Sequence, residues 1–352
     1  MAFLDSQLHI NVPLTDYAVA FRPEENQYLW NTLLPQKPVR HRSDLIRQIS
    51  KANLLRRQDL RVGKGGRVTE VQFKLDPNLS YNAVDYAASA ILRETERMNA
   101  DDILQYDQEM MYTALIYMHT NLEVLTIKEI LRDTNILTNN FTLTSPHFWD
   151  NYLSPVSDPL NDIRTGVNLV RTKTGYYPNC IVMHELVWDK IQRHPRLLQR
   201  GPVHPYGSGI VTKQAFELML GVEPGTLKVT AQQYNVALED QPGDFRSMIG
   251  PDVIIAYTTA PSIRTFGLGS SFMFQGDGVR RGEGGDLNPL PELGAPFVVY
   301  QFPNYQADPR GAQSLNLIGA LDQRVLNAEA GYLIKNCVDA SNTAVYGNYL
   351  NN

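Results

Sequence analysis

The longest uninterrupted periodic stretch of the chain is NADDILQYDQEMMYTALIYMHTNLEVLTIKEILRD, residues 99–133. Leu104, Met111, Leu115, Met118, Leu122 and Leu125 follow one another at spacings of seven, four, three, four and three, the period of a helix. A second row, Ile103, Met110, Tyr117, Val124 and Leu131, repeats every seven residues. Asn99 is placed to cap the first turn, and Asp101 and Asp102 sit where the helix dipole favours negative charge. No Pro or Gly interrupts the run, which at about 1.5 Å per residue would span roughly 50 Å. Two apolar rows make a wide face that needs partners on more than one side. The pattern predicts a spine crossing an elongated subunit.

Around this spine the pattern changes repeatedly. Residues 1–39 show little periodicity, with Pro13, Pro23, Pro35 and Pro38 among scattered aromatics, and predict an extended arm that must lie along something else to bury them. Residues 69–74 alternate in polarity after the glycine-rich GKGG at 63–66, which predicts a long hairpin-like loop with its tip near Lys64. Residues 81–99 read as a short strand or turn followed by a brief helix. After turn-rich residues 140–159, residues 160–175 form an amphipathic helix with Ile163, Val167 and Val170 on one face and Gly175 closing it. A mixed α/β unit follows. It has a buried strand at 180–183, a helix at 185–193 stopped before Pro195, and a helix within 211–222 that starts from a Thr cap and ends at Gly221. TLKVTAQQYNVA and MIGPDVIIAYTTAP supply strands, GDGVRRGEGG at 276–285 a loop, and residues 296–305 and 328–338 late strands.

Charge sharpens the picture more than composition does. The 352 residues carry a formal net charge of −5 and are 43% hydrophobic and 20% charged, which fits an ordinary globular chain long enough for two lobes. Residues 37–67 depart from this: ten basic residues stand against Asp44 and Asp59, a net of +8, so the rest of the chain carries −13. Such a segment reads as a solvated arm, as a nucleic-acid groove, or as an arm reaching an acidic surface on a neighbouring subunit. Opposite signs on two parts of one chain favour the last. The two cysteines imply no disulfide framework and no four-cysteine metal site. The first residues lack a basic and an apolar signal region, and no apolar run approaches membrane-spanning length.

The chemistry expected of an enzyme is missing from the motifs. His184–Glu185 begins an HE pair, but Trp188 stands where a zinc-protease helix needs its second His. GKGG lacks the spacing of a phosphate loop, GLGSSF at 267–272 lacks the third Gly of a dinucleotide fingerprint, and no GxSxG elbow occurs. The carboxylate pairs Asp101/Asp102 and Asp158/Asp162 suit helix starts. The expectation is no catalytic residue, no metal and no cofactor.

Taken in order, these segments resemble the major capsid proteins of tailed bacteriophages, with their Hong Kong 97 type shell fold. The resemblance runs from about residue 40 to 338. A basic loop is followed by NAVDYAASAILRETERMN and the spine helix. DPLNDIRTGVNLVRTKTGYYPNCIVMHELVWDKIQRHPRLLQR resembles the passage into an axial lobe, and VTKQAFELMLGVEPGTLKVTAQQYN, GPDVIIAYTTA and AGYLIKNCV resemble its later elements. The resemblance implies an α+β fold with an N-terminal arm (1–40), an extended loop (41–75), a peripheral domain (76–175 and 296–345, with spine helix 101–133) and an axial domain (176–295). Arm and loop would overlap neighbouring subunits, with Arg56, Arg57, Arg61, Lys64 and Arg67 making the inter-subunit contact. The implied role is structural: copies of the chain form pentamers and hexamers of an icosahedral shell around double-stranded DNA, contacted without sequence preference, in a virion assembled in the host cytoplasm. The implied further partners are scaffolding, portal and decoration proteins, and no membrane. Some relatives crosslink Lys to Asn; no acceptor motif accompanies Lys64, so no crosslink is expected. Two alternatives remain: an encapsulin-like nanocompartment shell, and a two-lobed α/β enzyme with a cleft near 176–290.

Overall fold

A computed structural model describes residues 28–46, 79–99, 103–200, 210–238, 241–260, 266–274, 297–304 and 311–339, with isolated positions at 9–10, 14, 17–18, 55, 57 and 61. The strands are β1 (His9–Ile10), β2 (Gln36–Val39), β3 (Ser43–Leu45), β4 (Ser80–Asn82), β5 (Val84–Arg93), β6 (Asn140–Thr142), β7 (Cys180–His184) and β8 (Leu227–Thr230). They continue with β9 (Gln233–Asn235), β10 (Phe245–Ser247), β11 (Val253–Ala256), β12 (Gly269–Phe274), β13 (Val298–Pro303), β14 (Ala312–Val325) and β15 (Gly331–Lys335). The helices are α1 (Trp30–Leu33), α2 (Glu94–Asn99), α3 (Ile103–Val124), α4 (Pro159–Thr174), α5 (Glu185–Gln192), α6 (Pro195–Arg200) and α7 (Lys213–Leu220).

Helix α3 is the expected spine, and it runs on through wider π turns over Leu125–Leu131. Its first apolar row does what the spacing predicts: Met111, Leu115, Met118 and Leu122 are buried. The second row does not find a partner along its whole length, since Tyr117 is 69% exposed. The buried row packs on a six-stranded sheet organised by β14. One side of β14 pairs with β5 along its length. Its other side pairs first with β13 and then with β12, and these carry β1 and β2 at their outer edges. Ala90, Leu92, Leu315, Leu317, Val299 and Phe297 meet the helix there.

The second sheet has five strands in the order β6-β15-β11-β7-β8. Alternate residues of its strands enter two different cores, as the pleat requires. Ile181, Met183, Val253, Ile255 and Ile334 face α4, α5 and α7. Val182, Ile254, Ala256 and Leu333 face the end of the spine, at Ile127 and Leu131, and the arm residues Leu29, Leu33 and Leu34. Helix boundaries follow their local chemistry. Asp158 caps α4 by accepting from Asn161 N, and Gly175 ends it at φ +87. Thr212 caps α7 and Gly221 ends it at φ +73. Gly166 lets α4 lie close on the sheet: a Cβ there would come within 2.6 Å of Ile255 and Tyr332 side-chain atoms.

Three expectations need correction. Residues 81–99, read as a short strand or turn followed by a brief helix, carry a longer strand than expected, the ten residues 84–93, before the brief helix α2. Ala88 and Ala90 face α3, where small side chains let helix and sheet approach, and that packing overrides Ala's low strand propensity. The described part of the arm lies on its own subunit: β1 pairs with β13, and Leu14, Ala18 and Trp30 are buried in the spine core. The strand pairing also cuts across the lobes drawn from sequence. Residues 269–274, expected with 176–295, join the six-stranded sheet, while 140–142 and 331–335 join the five-stranded one. Partner choice between distant strands leaves no local pattern. The 276–285 loop and Lys64 lie outside the described residues.

Candidate inter-subunit surfaces

The sequence places its candidate contact on a loop whose root the structure defines. β3 and β4 pair antiparallel in the register Ser43↔Asn82, Asp44↔Tyr81, Leu45↔Ser80. One further bond, Ile46 N to Leu79 O at 2.7 Å, closes the base. Beneath it, Ile46 and Tyr81 pack on Phe272, with the Tyr81 and Phe272 rings stacked 4.8 Å apart. The chain therefore leaves and returns at a single fixed point. Of the five basic residues expected to make the contact, Arg57 and Arg61 are exposed, and Arg56, Lys64 and Arg67 lie outside the described residues.

The arm is fixed by a group that sequence reading passed over. Glu123 is fully buried on the spine helix. Its carboxylate accepts from Leu29 N at 3.0 Å and from Trp30 N at 2.6 Å, the amides at the start of α1. Burial pushes its pKa up to about 7 against the lowering effect of the two amides. One turn earlier, His119 Nδ1 accepts from the Trp30 indole N–H at 3.1 Å, and Tyr28 OH meets Thr120 Oγ1 at 3.3 Å. Burial also holds the His119 imidazole down at about 4, in the neutral form that can accept. A single Glu at a polar position of a helix gives no sign that it will cap a segment 94 residues away.

The third surface lies along β5. Tyr86, Ala88, Ala90 and Leu92 turn toward α3, and Asp85, Ala87, Ser89, Ile91 and Arg93 turn outward and are exposed. Between this strand and the spine runs a groove of about 380 Å³, lined by Ala88, Ala90, Ile91, Met110, Thr113 and Tyr117. At its end Arg93 pairs with Glu96 at 3.4 Å, and Arg97 pairs with Asp107 at 2.8 Å.

The remaining polar clusters are structural. Ser157 Oγ lies 3.1 Å from His194 Nε2, a spacing suited to a nucleophile and its base, but it donates to Phe148 O and is fully buried. Neighbouring Asp158 engages Arg196 and Arg200 instead of the imidazole. Asp162 accepts from the Trp149 indole. His184 caps α5 through Nδ1, which accepts from Leu186 N. The Asp252 carboxylate meets Arg132 at 2.6 Å and accepts from Asn336 N, joining the end of the spine to the five-stranded sheet. Among the described residues no group of His, Cys, Asp and Glu is placed to hold a metal, and no helix is long and apolar enough to cross a membrane.

No family model and no curated protein matches the chain. Solved structures do. A phage-related protein from Bordetella bronchiseptica RB50 superposes with a TM-score of 0.66 at 18% identity, over 93% of this chain and 97% of that one. The capsid structure of cyanophage P-SCSP1u gives 0.51 at 10% identity, over 90% of each chain. The chain has the α+β, Hong Kong 97 type shell fold of phage major capsid proteins.

Proposed function

We propose that this chain is a major capsid protein, whose copies assemble as pentamers and hexamers into an icosahedral shell around double-stranded DNA. The observation that carries the reading is the extent of the fold likeness. The chain aligns with a phage-related protein over 93% of its own length and 97% of that protein's. In this reading the lobe built on β5, β14 and the spine is peripheral, and the five-stranded lobe with α4, α5 and α7 is axial. The basic loop, rooted at β3 and β4, extends to an acidic surface on the next subunit through Arg56, Arg57, Arg61, Lys64 and Arg67. Exposed ion pairs are worth about 0 to 1 kcal/mol each. A shell repeats them at every interface, so their sum can decide assembly.

Negative-stain microscopy of the purified protein tests the reading, with nuclease digestion of whatever the particles contain. Closed shells protecting DNA are expected. Shells holding a protein cargo instead would favour a nanocompartment, and compact monomers at micromolar concentration would favour a two-lobed enzyme. The double substitution Arg56→Glu, Arg57→Glu is expected to leave circular dichroism unchanged and to stop shells forming. If shells form but lose DNA, the loop faces the nucleic acid.

A further inference from the structure

A single exposed apolar side chain is ordinary and needs no cover. The turn at 151–156 gathers several. Tyr152, Leu153 and Val156 are 38%, 96% and 44% exposed. The backbone that carries them is fixed from below. Asn151 N donates to Phe148 O at 3.1 Å, Ser154 N donates to Asn151 O at 3.2 Å, and the Arg196 guanidinium donates to Pro155 O. Tyr152 OH donates to Lys190 O at 3.2 Å, and Ser157 Oγ donates to Phe148 O at 2.9 Å. The turn therefore holds its apolar side chains outward, already in place for a partner.

We propose that residues 340–352 of the same chain lie over Tyr152, Leu153 and Val156 and close this face. The inference does not depend on the shell reading. Three observations select the occupant. The first is position. From β15 onward the chain runs beside the residues that lead into the turn. Leu333, Ile334 and Lys335 pair in parallel with Asn140, Phe141 and Thr142. Leu143 N then donates to Lys335 O at 2.9 Å, Trp149 N to Cys337 O at 2.8 Å, and Asp339 N to Asp150 Oδ2 at 3.3 Å. The contacts advance together along both segments, and the last one releases the chain beside Asp150, next to the turn. The second is composition. ASNTAVYGNYLNN, residues 340–352, has no charged side chain and carries Val345, Tyr346, Tyr349 and Leu350. Such a segment can cover Tyr, Leu and Val without burying a charge, which the basic loop could not do. The third is reach. At about 3.3 Å per residue, residues 340–345 can extend roughly 20 Å, and Leu153 lies only three residues from Asp150, so Val345 to Leu350 reach the turn. A short tether also raises the effective concentration to the millimolar range, so a small contact suffices. The arm is a poorer occupant, because its described residues are committed to β13 and the spine core.

Thiol alkylation of the full-length protein tests this. Both native cysteines are buried. Leu153→Cys keeps a small apolar side chain on the turn, and its reaction with iodoacetamide is timed in the full chain and in a chain ending at Asp339. The full chain is expected to react about ten-fold more slowly, as a cover open a tenth of the time requires. Met98→Cys, 76% exposed on α2, is expected to react equally in both. Equal rates at position 153 overturn the proposal. If shortening the chain also speeds the reaction at position 98, the shortened chain has lost its fold, and Tyr346→Ser with Leu350→Ser in the full chain decides instead. That pair is expected to speed the reaction at position 153 alone, and no change there overturns the proposal. Oxidation identifies the source of the cover. A Leu153→Cys, Tyr346→Cys double variant is expected to close within single chains, with background dimer only when the two single variants are mixed. A mixed dimer in excess of closure within single chains assigns the cover to a second copy and overturns the proposal.

Discussion

The two sheets of this subunit are finished to different degrees. The five-stranded sheet is covered on both faces: α4, α5 and α7 take one set of alternating side chains, and the arm and the end of the spine take the other. Its strands β7 and β11 are buried at every residue. The six-stranded sheet is covered by the spine on one face, while β5 presents an exposed outer face and an edge that no strand among the described residues pairs with. That sheet leaves apolar surface at Ile91 and Tyr117 that one copy does not bury. If the proposed shell forms, stability and assembly are drawn from different parts of one chain, and substitutions should separate them.

The largest effect is expected where the spine meets the finished sheet. Asp252→Ala leaves the partly buried Arg132 without its partner and Asn336 N without an acceptor, at a cost of about 3–5 kcal/mol in urea unfolding. A loss below about 1 kcal/mol would mean that the spine is not anchored there. Next comes Ile254→Ala in the doubly covered strand β11, expected to cost about 2–5 kcal/mol through a cavity that the packed faces cannot close.

The arm gives an intermediate effect with a pH signature. The Glu123 pKa stands at about 7 when the arm is docked, above its ordinary 4.5. The docked state then holds the proton more tightly. Its contribution is fully present below 4.5 and is lost as pH rises through 7, by up to roughly 3 kcal/mol. Hydrogen exchange of the amides at 28–34 should accordingly slow between pH 8 and pH 5 once intrinsic rates are corrected. Glu123→Gln keeps an acceptor oxygen and should flatten that slope; a slope unchanged in the variant would exclude Glu123 as its source. The smallest effect on folding belongs to the open sheet. Ile91→Ala should change unfolding of the unassembled subunit by no more than about 0.5 kcal/mol, yet weaken assembly measured by light scattering. Equal effects of Ile91→Ala and Ile254→Ala on unfolding would erase the distinction between the sheets.

Sequence reading succeeded where the determinants are local. The spine, the Thr cap at Thr212, the stops at Gly175 and Gly221, the buried strand β7 and the strand β11 all follow from neighbours a few residues apart. It failed where the determinant is distant. VDYAASAILR, read as no more than a short strand or turn, is poor in strand formers, and it extends to ten residues because β14 pairs with it and Ala114 lies against it. AQSLNLIGALDQRV, the strand that organises the larger sheet, has a strand's alternation only in part. Glu123 gained its role from a backbone turn far up the chain. The charge excess of the loop was legible, but charge names a sign and not an address.

The pairing of β5 with β14 also sets an order in time. Arg93 meets Ala312, roughly 220 residues later in the chain, so the larger sheet cannot close until most of the polypeptide has been made. At about 5–20 residues per second of synthesis, β5 waits tens of seconds for its inner partner. Until then it has two open edges and no fixed face. The shape of β5 is therefore fixed late, only after the strand that it lies against has been synthesised.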